Sequence, residues 1–177
     1  MTLPIGFSAG GSAGELDRAL GDLCAEADKA IEAGRNILIL SDRDLPGTMT
    51  PIPSLLAVSV VNRHLSRNGK RTRIGLIAET GESREVMHMA LLLGYGATAI
   101  NPYLAFETIA EMASRRDLSA DIAPAKALEN YVASLCEGLR KVMSKMGIST
   151  LRSYRGAQVF EAVGLDPALV DLSLIHI

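Results

Sequence analysis

At 177 residues the chain suits one domain or little more, and 48 % hydrophobic against 21 % charged residues is the balance of a globular protein, which excludes a disordered tail. Lys and Arg number 18 against 20 Asp and Glu, a formal net charge of −2, so the positive surplus typical of a nucleic-acid binder is missing. Aromatic residues make up 4 % and Trp is absent, so the core is predicted to consist of Leu, Ile, Val, Ala and Met.

Residues 1–12 are predicted as a poorly ordered lead-in. From Ser12 to Gly34 the pattern is helical: Ser12 and Glu15 have the spacing of a capping box, Leu16, Leu20, Leu23 and Ile31 share a face, and Gly34 suits the end. Asn36 to Leu40 is a short unbroken apolar run, predicted as a strand buried on both faces and ending in polar Ser41, Asp42 and Arg43. The stretch DLPGTMTPIP holds three prolines and a glycine and reads as loop. A helix follows from about Ser54 to Asn68, and Thr72 to Glu79 reads as a second buried strand. Ser83 is placed to cap a helix through Leu93; Gly94, Tyr95 and Gly96 break it, and Ala97 to Ile100 makes a third strand before Asn101 and Pro102. Beyond Leu104 only helical patterns appear: Leu104 to Arg115, Ala125 to about Met146, and Ser153 to Val163. On the middle one, Leu128, Val132, Leu135, Leu139, Val142 and Met146 form an apolar stripe. Strands alternating with helices imply parallel strands joined by right-handed crossovers. The predicted fold class is therefore α/β: a short parallel sheet of about three βα units, barrel-like or Rossmann-like, followed by a helical annex over 104–165.

Cys24 and Cys136 stand far apart with no C-x-x-C spacing, and are expected to be two buried thiols in a reducing compartment. No apolar run reaches the roughly 18–20 residues of a membrane span, and the N-terminus lacks the basic start of a signal peptide. A cytoplasmic protein with neither membrane nor nucleic acid as partner is expected.

Chemistry-bearing candidates are few. The turn from Gly81 to Ser83, between a strand and a helix, could offer backbone N–H groups to a phosphate, although Glu82 brings a carboxylate there and Arg84 is the one nearby cation. Ser41, Asp42 and Arg43 stand at a strand's C-terminal end, where α/β proteins bind ligands; pairing of Asp42 and Arg43 with each other or with loop backbone is the preferred explanation. His64 and His88 lie inside helices without a ligand-spaced partner and read as surface or packing residues. Lys141 to Thr150 places lysines where they complement a helix C-terminus, with Thr150 or Ser153 able to cap the next helix. Nowhere do nucleophile, base and orienting group occur together. No catalytic, cofactor-binding or metal-ligating residue is assigned.

The blocks ILILSDR, PIPSLLAVSVVNRHL, RTRIGLIAETGESREVMHMALLLGYGATAINPYLAFET and KVMSKMGISTLRSYRGAQVFEAVGL, in that order, resemble the large subunit of glutamate synthase over about Leu16 to Asp171. The resemblance places residues 1–171 in the C-terminal half of that subunit's central domain. It implies a parent enzyme that releases ammonia from glutamine, passes it through an internal tunnel and makes glutamate from 2-oxoglutarate at a reduced flavin. FMN and an iron–sulfur cluster belong to the parent, and its catalytic and cluster cysteines are not Cys24 or Cys136. The implied partners are the glutaminase and FMN-binding domains of the same chain, with a small subunit or ferredoxin supplying electrons. The segment itself is expected to be structural, and the turn from Gly81 to Ala97 a non-binding relative of a flavin-phosphate site. A stand-alone α/β module binding an anion or the FMN phosphate is the alternative. Residues 172–177, LSLIHI, read as a translated sequencing adapter rather than protein sequence.

Overall fold

The structure is a computed structural model describing residues 1–8, 10, 14–118, 122–161, 163–164 and 170–171. Its centre is a four-stranded parallel sheet of β1 (Thr2–Pro4), β3 (Ile37–Ser41), β5 (Gly75–Glu79) and β6 (Ala99–Asn101), lying side by side in that order. A small antiparallel ribbon joins β2 (Gly6–Phe7) to β4 (Thr50–Pro51). Helix α1 (Glu15–Glu32) links β1 and β2 to β3, α2 (Ser54–Arg67) lies between β3 and β5, and α3 (Val86–Gly94) between β5 and β6. The chain continues through α4 (Tyr103–Ser114), α5 (Pro124–Lys145) and the single turn α6 (Leu151–Tyr154). Strands that neighbour each other in chain order, each followed by a helix, are the repeating unit of a (β/α) barrel, here incomplete.

The α/β class and the main helices stand as expected, with several corrections. The lead-in is not without structure: Thr2, Leu3 and Pro4 pair with Ile39, Leu40 and Ser41, and Leu3 and Ile5 are buried. The sheet therefore has four strands where three were expected. The proline-rich loop contributes β4 to the ribbon. Thr72 does not begin a strand, because Arg71–Arg73 forms a 3-10 turn and β5 starts at Gly75. Ser83 does not cap α3. Glu85, just before the helix, is extended, and the helix starts at Val86. α6 stops at Tyr154 instead of running to Val163, since Gly156 adopts a positive φ of 72° and its N–H bonds to the Gly94 carbonyl. Ser12 and residues 172–177 lie outside the described residues; α1 is preceded by Gly14, which makes no side-chain cap.

The two faces of the sheet differ. Leu38, Leu40, Leu76 and Ala78 point to the helices and are buried with Leu20, Ala27, Val58 and Val61 of α1 and α2. Each such leucine contributes about 1.5–3 kcal/mol relative to exposure. The opposite, inner face is less covered: Ile37 is 47 % exposed and Ile39 and Ile77 are half-buried, so β3 is not buried on both faces. A barrel's strands bury that face against each other only on closure. A second, smaller core joins Ala90 and Leu93 of α3 to Met143 of α5 and Tyr154 of α6, whose hydroxyl donates to the Ala90 carbonyl at 3.1 Å. On α5 the predicted stripe holds in part, with Leu139 and Val142 packed on this second core and Leu128 and Leu135 half-buried. Ala127 and Met143 are inward while Val132 and Met146 are exposed, because Gly138 seats the helix on Val86, where a Cβ would overlap that side chain.

Candidate functional site at the strand ends

Register brings together the last residue of each of three strands. Ser41 pairs with Glu79 and Glu79 with Asn101, so all three side chains project from the inner face at one level. Ser41 Oγ donates to Glu79 Oε2 at 2.6 Å and Asn101 Nδ2 donates to Oε1 at 3.0 Å. Both oxygens of the carboxylate are thereby held, and Glu79 is a fixed acceptor at the C-terminal end of the sheet. Ser41 Oγ in turn accepts from the Arg43 N–H at 3.1 Å.

A second tier surrounds this row. Asp42 accepts from Thr80 Oγ1 at 2.8 Å and from the Gly81 N–H at 3.0 and 3.1 Å. It also accepts the Tyr103 hydroxyl; burial first, then the Asp42 charge and this hydrogen bond, push the phenol up to about 12. Arg43 turns away from Asp42. Its Nη2 meets Glu107 Oε1 at 2.7 Å, and its guanidinium lies 4.9 Å from the Tyr103 ring centroid. Of the two explanations for Asp42 and Arg43, backbone pairing holds for Asp42, and a salt bridge across the strand ends serves Arg43.

The Gly81 turn is committed elsewhere. Its own N–H goes to Asp42, and Glu82 reaches across to α2, where Oε2 accepts from the Ser54 N–H at 2.8 Å and the Ser54 hydroxyl at 2.6 Å. The carboxylate thus occupies the positive end of the α2 dipole. Arg84 donates its backbone N–H to His88 Nδ1 at 3.1 Å, and its carbonyl accepts from Tyr131.

The remaining candidates are dispersed. His64 meets Asp28 at 2.7 Å, a partner from a separate helix that no local spacing announces. His88 lies 3.5 Å from Glu85. Cys24 is buried, its thiol pushed up to about 11 by burial and then by the Asp28 charge, but Cys136 is exposed on α5, so the pair of buried thiols is corrected to one. Thr150 does cap α6, accepting from the Ser153 N–H at 3.3 Å. No group of three or more potential metal ligands occurs among the described residues, and no described helix is long and apolar enough to cross a membrane. Sequence reading singled out Ser41 but not Glu79 and Asn101 as its partners. The signal was present: all three occupy the final position of their strands.

A parallel run of consecutive βα units with its polar residues gathered at the strand C-termini defines a partial (β/α) barrel. Solved structures agree on the fold. A flavocytochrome b2 L230A mutant with benzoylformate superposes with a TM-score of 0.61 at 13 % identity, over 84 % of this chain and 37 % of that one. The Eimeria tenella DHODH in complex with ferulenol gives 0.51 at 19 % identity, over 80 % of this chain and 36 % of that one. The family model for the glutamate synthase central domain matches residues 1–166, and the chain belongs to that family. Curated relatives include the Bacillus subtilis glutamate synthase [NADPH] large chain, 52 % identical over 89 % of this chain and 10 % of its own length. The Saccharomyces cerevisiae glutamate synthase [NADH] is 47 % identical over 82 % of this chain and 7 % of its own, and the rice ferredoxin-dependent enzyme 41 % over 90 % and 10 %. The chain thus spans about a tenth of the length of these relatives.

Proposed function

We propose that the chain is part of a glutamate synthase large chain, the enzyme that makes glutamate from glutamine and 2-oxoglutarate in ammonia assimilation, and that this part is structural. It spaces and couples the glutaminase and FMN-binding domains of the parent, and its inner sheet face forms part of the wall of the ammonia path. The observation that supports a structural role is the state of the strand ends. Glu79, Asp42, Glu82 and Arg43 are each engaged by neighbours of the same chain rather than converging on a free space. Nor do these residues suit a flavin phosphate: the Gly81 N–H already serves a carboxylate, Glu82 places a second one at the turn, and Arg43 is paired with Glu107. Parent cofactors, FMN and an iron–sulfur cluster, are accordingly held by other parts of the parent, as is contact with a small subunit or ferredoxin. The parent works in the cytoplasm on this reading.

The test is made on the complete large chain carrying Glu79→Ala. Without its fixed acceptor the row loosens, and glutamine hydrolysis is expected to outrun glutamate formation while the FMN content stays at the wild-type level. Loss of the flavin in the variant, or stoichiometric flavin retained by the isolated 177-residue chain, overturns the structural reading.

A further inference from the structure

At the end of the sheet opposite the Ser41 row lies a cleft of about 640 Å³ in which guanidinium groups gather. Arg71 and Arg73 enter it from the 3-10 turn before β5, Arg152 from α6 and Arg155 from the position just after it, and Asn62, Ser66, Thr72 and Thr98 add neutral polar groups. Among the described residues no carboxylate lines it, and none of the four arginines has an ion-pair partner. In a chain of net charge −2 this concentration of positive charge is local, not a background excess.

Arg71 is built in rather than draped over the surface. Its Nε donates to Asn62 Oδ1 at 2.5 Å, Nη1 to the Ile74 carbonyl at 2.7 Å and Nη2 to the Gly96 carbonyl at 2.6 Å. Gly96 makes this possible, because at its φ of 121° a Cβ would overlap the Asn62 amide. The acceptors are neutral, so they orient the guanidinium without offsetting its charge. Of its five N–H groups, two on the terminal nitrogens stay available. Burial, and then the charge of Arg155, lower the affinity of Arg71 for its proton, the sign of a cation without a counter-charge. Arg155 donates to Thr98 Oγ1 at 3.2 Å, again a neutral partner.

We propose that this cleft is a binding site for a phosphoryl dianion, as free phosphate or diphosphate or as the anionic end of a small phosphate ester. Two chain segments present planar forks to one space, which suits an oxyanion with oxygens pointing in several directions better than the single edge of a carboxylate. The cleft lies at the N-terminal ends of β5 and β6, so the site is separate from the strand-end network and does not depend on the role proposed for it.

Calorimetric titration of the 177-residue chain with phosphate, diphosphate and glycerol 3-phosphate tests the proposal, with the complete large chain titrated in parallel. Saturable one-to-one binding of diphosphate is expected, weakened about tenfold by Arg155→Gln and further by adding Arg73→Gln, as loss of charge-assisted hydrogen bonds requires. Unchanged melting temperatures show that these exposed-end variants keep the fold, and Arg71→Gln, which also removes the bonds to Asn62 and Gly96, serves only as a third comparison. Tighter binding of glycerol 3-phosphate than of phosphate identifies an ester as the source; the reverse identifies the free anion. No saturable heat with any of the three, heat that both variants leave unchanged, or displacement of diphosphate by a hexaglutamate peptide at lower concentration overturns the proposal, the last in favour of an acidic polypeptide.

Discussion

Asp28 ties three parts of the fold together through one carboxylate. It lies on α1, meets His64 of α2 at 2.7 Å and accepts from Lys70, just before the 3-10 turn, at 2.8 Å. Burial works against its ionisation, but hydrogen bonds from Lys70 and His64 outweigh burial and hold the carboxyl below its ordinary value of 3.8. Lys70 is shifted upward, chiefly by its hydrogen bond to Asp28. A depressed carboxyl contributes stability that is complete above its unfolded-state pKa and disappears as pH falls through the folded-state value. A raised lysine contributes below its unfolded-state pKa and loses that contribution as pH rises through the folded one. Asp28→Asn is therefore expected to lower the urea midpoint near neutral pH and to flatten the fall in stability below about pH 4. Urea titrations across the acid range check it; a variant with the parent's acid slope shows that the network is energetically idle. His64 illustrates why such residues resist sequence reading: its acid stands 36 residues away.

At the scale of elements, helix ends decide much of the outcome. α1 ends with Gly34 N–H bonded to the Ile31 carbonyl and Arg35 N–H to Ala30, the paired bonds of a Schellman motif, and Gly34 takes the positive φ that motif needs. This end was legible because glycine announces it. α4 closes with the same bonds, Arg116 to Ala113 and Asp117 to Met112, but through Arg116 at φ 63°. No glycine marks that end, yet the helical pattern places it at Arg115, one residue from the observed Ser114. The start of α2 is capped from a distance by Glu82, and the position before the helix is Pro53, with no cap of its own. Glu82→Ala leaves the N–H and hydroxyl of buried Ser54 without their acceptor, at a cost of about 1–3 kcal/mol. Glu82→Gln, which keeps an accepting oxygen, is expected to lose less. Denaturant unfolding of the two variants separates them, and equal losses would place the effect in the charge alone.

For the whole molecule the open sheet is the dominant fact. Among the described residues β1 and β6 each pair on one side only, and the inner face exposes Ile37. Unpaired edges and uncovered apolar faces favour association. The isolated chain is expected to associate with rising concentration in sedimentation, and Ile37→Lys to reduce it; a parent that stays monodisperse across the concentration range would remove this expectation. Legibility followed range of interaction. Leu38 and Leu76 sit in apolar runs that name their strands unaided. Thr2, Leu3 and Pro4 form too short a run with a proline in it, and only pairing with Ile39 to Ser41 makes them a strand. The strand-end row was half legible: Ser41 was visible as a polar strand terminus, but Glu79 and Asn101 join it through register, which no single segment contains. The arginine cleft likewise needs α6 folded back beside the turn at Arg71.

The order of the strands also bears on how such a chain is made. β3 pairs with β1, β5 with β3 and β6 with β5, so each strand's earlier partner precedes it in the chain. During synthesis that partner has already left the ribosome when the new strand emerges, and the sheet can grow in the direction of translation. Once β5 has cleared the ribosome, every partner that β1, β3 and β5 need for one another is outside it.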